Sequence, residues 1–111
     1  MKKLTSVLAG LLLCLSTTVF AEEHADAALE HANTAVIHGK AGHAPILVEH
    51  AKTALDHALA ASLVAKSVTK NHIDAASESL QKAIDEGSLG HAAPATKFAE
   101  EAVAHLNASK K

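Results

Sequence analysis

The residues in this chain best equipped for chemistry are its nine histidines, and they are not scattered. His24, His31 and His38 stand seven apart, and His43, His50 and His57 stand seven apart again. A neutral imidazole nitrogen is a ligand for Cu(II), Ni(II) and Zn(II), so the chemistry such a set points to is metal coordination. The only cysteine is Cys14, so beyond it nitrogen and oxygen are the available donors. Other chemistries lack their residues. No two histidines lie four apart as in helical metalloprotease sites, no nucleophile constellation is present, and no C-x-x-C-H haem attachment exists. Haem held between paired histidines would also need aromatic walls, and beyond Phe20 the one aromatic residue is Phe98.

Seven residues are about two helical turns, so each trio lines one side of a helix with neighbours about 10.5 Å apart along the axis. That is too far for two members of one trio to grip the same ion, and partners must come from a second helix. In an antiparallel hairpin, facing residues share one index sum. The pairs His24/His57, His31/His50 and His38/His43 all sum to 81. The same operation further along pairs His72 with His105 and Glu86 with His91, while Ser79 faces Phe98 where a middle pair would be. At about 100° per residue the histidine stripe lies at the rim of the alanine-rich stripe, within reach of solvent and ions. Glu30, Glu49 and Asp56 are candidates to complete a coordination shell, although each directly precedes a histidine. A second pairing, between hairpins, would join His57 to His72, His24 to His105 and His38 to His91. The short turns favour pairing within each hairpin. A lone histidine on a wet helix face is ordinarily a solvated polar residue; six in two in-register trios depart from that.

The elements that must carry these residues follow from an internal duplication. Residues 24–61 match residues 72–109 without a gap, with 14 of 38 positions identical, among them His24/His72, Asp26/Asp74, Gly39/Gly87, Gly42/Gly90, His43/His91 and His57/His105. Within the first unit, Ala25, Ala28, Leu29, Ala32, Ala35 and Val36 recur at steps of three and four, and Ala44, Leu47, Val48, Ala51, Ala54 and Leu55 repeat the pattern. Such stripes are the signature of amphipathic helices. Gly39-Lys40-Ala41-Gly42 stops one helix and Pro45 suits the first turn of the next; Gly87-Ser88-Leu89-Gly90 and Pro94 do the same in the second unit. Ala65 to Lys70 reads as the connection, with Asn71 as N-cap and Asp74 completing a capping box. The spacing predicts helices over 23–38, 43–66, 72–86 and 92–108. Two αα-hairpins, each helix with one apolar stripe, close most simply into an all-α, up-down-up-down four-helix bundle.

The stretch ahead of the repeats reads as an export signal. Met1-Lys2-Lys3 is a positive head, Leu4 to Phe20 is apolar, and Val19-Phe20-Ala21 places small residues where a signal peptidase cuts, giving a signal over 1–21 and a domain over 22–111. The apolar run is shorter than the roughly 20 residues of a spanning helix, so no membrane anchor is expected after cleavage. Leu13 ahead of Cys14 departs from the small residue a lipoprotein signal carries. Residues 22–111 hold eight lysines, no arginine and twelve acidic residues, a formal charge of −4. That balance offers no pull toward nucleic acid. Without cysteine the domain has no disulfide, and its few large apolar side chains make a thin core. It is expected as a monomer.

At this point the chain resembles the bacterial periplasmic small metal-binding proteins, histidine-rich four-helix bundles built from heptad repeats. The carriers are His24-Ala25-Asp26-Ala27-Ala28, Val36-Ile37-His38-Gly39-Lys40-Ala41-Gly42-His43, Glu49-His50-Ala51-Lys52 and the run Ala95 to Leu106. The His-Gly-x-x-Gly-His turn together with the ladder is the specific part. The resemblance implies reversible binding of copper and other divalent ions in the periplasm, for sequestration or homeostasis. Ser79, Glu86 and Phe98 depart from it, standing where family-like positions carry histidine. The expectation is therefore a periplasmic binder of Cu(II), with Ni(II) and Zn(II) also accepted, and not an enzyme; its metal ligands would be His24, His31, His38, His43, His50, His57, His72, Glu86, His91 and His105. The competing reading is a structural or interaction bundle of the envelope whose histidines answer to acid.

Overall fold

A computed structural model describes the backbone of residues 2–110 and the side chains of residues 19–110. The side chains of most of the expected signal, Cys14 included, lie outside the described residues.

Four helices follow one another: α1 (Lys2–Lys40), α2 (Ala44–Val64), α3 (Ser67–Ser88) and α4 (Ala92–Ser109), with no strand among the described residues. Each packs chiefly against its two neighbours, α1 against α2 and α4, α3 against α2 and α4. This is the antiparallel up-down-up-down bundle that the repeat and its short turns require.

The core is the predicted alanine seam. Ala28, Ala32 and Ala35 of α1, Ala51, Ala54 and Ala58 of α2, Ala76 and Ala83 of α3 and Ala95, Ala99 and Ala102 of α4 are fully buried. Among the described residues, only Leu47, Ile73, Leu80 and Leu106 add large, fully buried side chains. Small residues let helix axes approach toward the lower end of the 8–10 Å range, which is what the rim histidines need to meet.

Both hairpin turns close by one device. After α1 the amide of His43 donates to the carbonyl of His38 at 2.9 Å and that of Gly42 to Gly39 at 3.0 Å; after α3, His91 donates to Glu86 at 3.0 Å and Gly90 to Gly87 at 2.9 Å. These are Schellman motifs, whose left-handed residue is Gly42 (φ +80°) or Gly90 (φ +81°). The stop is therefore the second glycine of each turn. α1 and α3 consequently run two residues past the expected ends at 38 and 86. Gly39 and Gly87 stay helical and serve packing instead: a Cβ at Gly39 would stand 2.6 Å from Leu47 Cδ1, and one at Gly87 2.6 Å from Val48 Cγ2.

Other boundaries differ from the sequence reading as well, α2 ending at Val64 and not at 66. α1 passes through Ala21 and Glu22 without a break, so the expected start at 23 is not a fold boundary. The connection between hairpins is only Ala65 and Lys66, and Asn71, read as a cap, lies inside α3. No glycine or proline lies between 65 and 72 to delay the start of α3. Asp74 binds elsewhere: Lys70 Nζ donates to its carboxylate at 2.8 Å, and Ser62 Oγ at the end of α2 donates to it as well. The Lys70 hydrogen bond, then that of Ser62, holds the Asp74 carboxyl below the ordinary carboxylate range. The end of α4 is tied down at Lys110, whose Nζ meets Asp26 Oδ1 at 2.6 Å.

Candidate metal-binding ladder

The seam brings the first hairpin's histidines level in pairs. His24 and His57 face each other Nδ1 to Nδ1 at 2.8 Å, and His31 and His50 do so at 3.3 Å. His38 and His43 stand with ring centroids 6.0 Å apart. Rings at 24, 31, 38, 50 and 57 are half-buried, as the rim position requires, and His43 is exposed. The structure thus brings these six together within the hairpin; the ring pairs of the alternative, between-hairpin reading are not among those the described residues form.

The third pair is made by the turn itself. In a Schellman motif the side chains at C3 and C″ meet, and here those positions are His38 and His43. His43 is also the residue ahead of α2, its carbonyl accepting from the Leu47 amide at 3.0 Å. One histidine is thereby fixed by the end of one helix and the start of the next.

The second hairpin keeps the same frame with fewer imidazoles. His72 and His105 pair with centroids 6.3 Å apart. Its turn places Glu86 and His91 at C3 and C″, and His91 Nδ1 lies 2.9 Å from Glu86 Oε2. Between them, Ser79 is buried, and Phe98 packs against the core with Lys82 Nζ 5.8 Å from its ring centroid. Phe98 is a packing residue, and the middle rung is absent there.

Sequence reasoning missed one feature, a set of diagonals. His31 and His57 stack with centroids 5.9 Å apart and rings 9° from parallel; His38 and His50 stack at 5.6 Å and 2°. The cause is the lean of helical side chains toward their own N-terminus. In antiparallel helices that lean is opposite on the two sides. His31 tips toward the level of His57, and His57 tips toward that of His31, closing the gap of about 10.5 Å between rungs. The signal was present in a second index sum, 88, shared by both diagonals.

The carboxylates suggested for completing a shell do not join it. Glu30, Glu49 and Asp56 are exposed, turned about 100° from the histidine that follows each. Among the described residues no three His, Cys, Asp or Glu side chains converge where they could hold one ion. The ladder is a series of paired side chains on the partly exposed rim of the bundle.

A family model described as small metal-binding protein matches residues 1–109. The chain belongs to that family. The description is that of a binding protein, not an enzyme, and it covers both hairpins and the segment ahead of them. A comparison with curated proteins finds no match. Among the described residues no helix is long and apolar enough to cross a membrane.

Proposed function

We propose that this chain binds and sequesters divalent transition-metal ions in the periplasm through interhelical histidine pairs, with Cu(II) favoured and Ni(II) and Zn(II) also accepted. The observation that carries the reading is the pair of facing Nδ1 atoms at His24/His57 and His31/His50. With metal–nitrogen bonds of about 2.0–2.1 Å, a nitrogen separation of 2.8 Å corresponds to an angle at the metal of about 85–90°, and one of 3.3 Å to about 105–110°. The first suits neighbouring positions of a tetragonal Cu(II) or Ni(II) ion, the second a tetrahedral Zn(II). Both nitrogens can be freed without rebuilding the site, because a neutral imidazole moves its proton to Nε2.

Two protein donors leave positions for water, so binding is exchangeable and follows the general affinity order, in which copper exceeds nickel and zinc. His38/His43 and His72/His105 are further two-imidazole sites, and Glu86/His91 is a mixed nitrogen and oxygen site. Water supplies the remaining ligands, and no step of catalysis is involved. Periplasmic location rests on the leader sequence: removal after Ala21 leaves His24 and every buried residue described in α1, the first being Ala25. The ion is cargo, and the mature domain is a monomer that carries it.

Calorimetric titration with Cu(II), Ni(II) and Zn(II) at about pH 7.5 tests the proposal. Uptake is expected, fading as pH falls below about 6.5 because protons compete for imidazole. The double variant His31→Ala/His50→Ala should bind fewer ions; uptake unchanged in that variant, or none in the wild type, would reject the assignment.

A further inference from the structure

The first hairpin's pairs are not isolated from one another. Following the shortest ring separations gives an unbroken zigzag, His24, His57, His31, His50, His38, His43, with successive centroids 5.0, 5.9, 5.5, 5.6 and 6.0 Å apart. Every ring between the two ends touches one partner in its rung and another on a diagonal. Each imidazole has two ring nitrogens, and the rungs at His24/His57 and His31/His50 use Nδ1, leaving Nε2 on the same rings unengaged by them.

We infer that these six histidines form a relay along which a divalent ion passes from one end of the hairpin to the other without entering bulk solvent. The inference rests on the metal-binding reading above and extends it from storage to directed movement. The chemistry is ligand substitution. An ion held by His31 and His50 has open positions, since no third protein donor converges on it. The ring of His57, 5.9 Å from His31, or that of His38, 5.6 Å from His50, can turn into one of these open positions before His50 or His31, respectively, leaves. The bond to the incoming nitrogen forms first and the bond to the outgoing nitrogen breaks second; charge and ligand count are restored, and water fills the balance. The diagonals His31/His57 and His38/His50 are the intermediate two-imidazole stations. The second hairpin cannot do this, because Ser79 and Phe98 replace its middle pair and separate His72/His105 from Glu86/His91.

Zn(II), being diamagnetic, allows the relay to be timed. Full mature chain carrying less than one equivalent of Zn(II) is examined by NMR exchange spectroscopy on the imidazoles of His24/His57 and His38/His43. Release into excess chelator is measured on the same sample. Exchange between the end rungs about tenfold or more faster than release is the expected result, a difference of about 1.4 kcal/mol in barrier. In His31→Ala/His50→Ala both end rungs should still shift with Zn(II), but exchange between them should slow to the release rate. Exchange no faster than release in the wild type, or unchanged exchange in the double variant, would overturn the relay while leaving the binding sites in place. Absence of any Zn(II)-dependent shift in the wild type would overturn relay and binding together.

Discussion

The two hairpins share a backbone plan and differ in what hangs from it. Both reverse through the same Schellman turn and bury the same seam, yet the first carries three His/His rungs and the second one, with a mixed Glu86/His91 rung and a packed centre at Ser79 and Phe98. The frame tolerates losing imidazoles because they sit on its rim: removing one leaves the seam intact. What the second hairpin gains in exchange is a more deeply packed middle, with Phe98 against the core.

Stripping the ladder should separate the halves most sharply. Replacing His24, His31 and His38 by alanine removes three of the five donor pairs, all in the first hairpin, whereas replacing His72 and His105 removes one. Copper uptake measured by equilibrium dialysis should fall by more than half in the triple variant and by a minor share in the double. Equal losses would mean that the hairpins contribute alike.

Smaller in binding but large in stability is a contrast within one turn. Gly39→Ala drives a Cβ against Leu47 and the Thr96 hydroxyl of the other hairpin and should cost about 1–3 kcal/mol. Gly42→Ala meets open space and should cost only the left-handed backbone, about 1–2 kcal/mol. Thermal melts separate the two. Gly42→Ala should also disturb the His38/His43 rung, read as weaker metal binding relative to the melting shift.

Rebuilding the missing rung tests the trade directly. Ser79→His with Phe98→His should add one Zn(II) or Cu(II) site to the second hairpin in a calorimetric titration. It should lower stability by about 1–3 kcal/mol, because a packed aromatic is lost and a polar ring enters a buried position. A gain in capacity without loss of stability would show that Phe98 does not hold the hairpin.

The repeat also places Asp26 and Asp74 at equivalent positions with different partners, and here the smallest effect is expected. Asp26 meets Lys110, while Asp74 meets Lys70 and Ser62. Both pairs are half-exposed, so Asp74→Asn should cost no more than about 1 kcal/mol. Because the folded carboxyl of Asp74 is held below its ordinary range, its contribution is full above that range and disappears as pH falls through the lowered value. The melting difference between Asp74→Asn and wild type should therefore shrink toward zero in strong acid.

Much of this was legible in the residue order because two periodicities and one short turn constrain it. A stripe at steps of three and four fixes the helix faces, and a Gly-x-x-Gly turn fixes the register, so the residue level with His31 on α2 had to be His50. The start of α3 was not legible: Asn71 and Asp74 resemble a cap, but Asp74 is claimed by Lys70 and Ser62, and a side chain already bonded across helices does not cap. The diagonals were missed because matching levels alone ignores the lean of each side chain toward its own helix N-terminus, which the shared index sum of 88 would have shown. The anchor of Lys110 was not legible either, because only the position of Asp26 in space shows it.

The turn pair has a consequence for how the protein assembles. His38 and His43 are separated by four residues, whereas the partners in the other two rungs of their hairpin come from distant stretches of chain. Closing so small a loop takes tens of nanoseconds, well before helices dock. The bend pair therefore forms first, and the register it sets is the one in which every later rung must form.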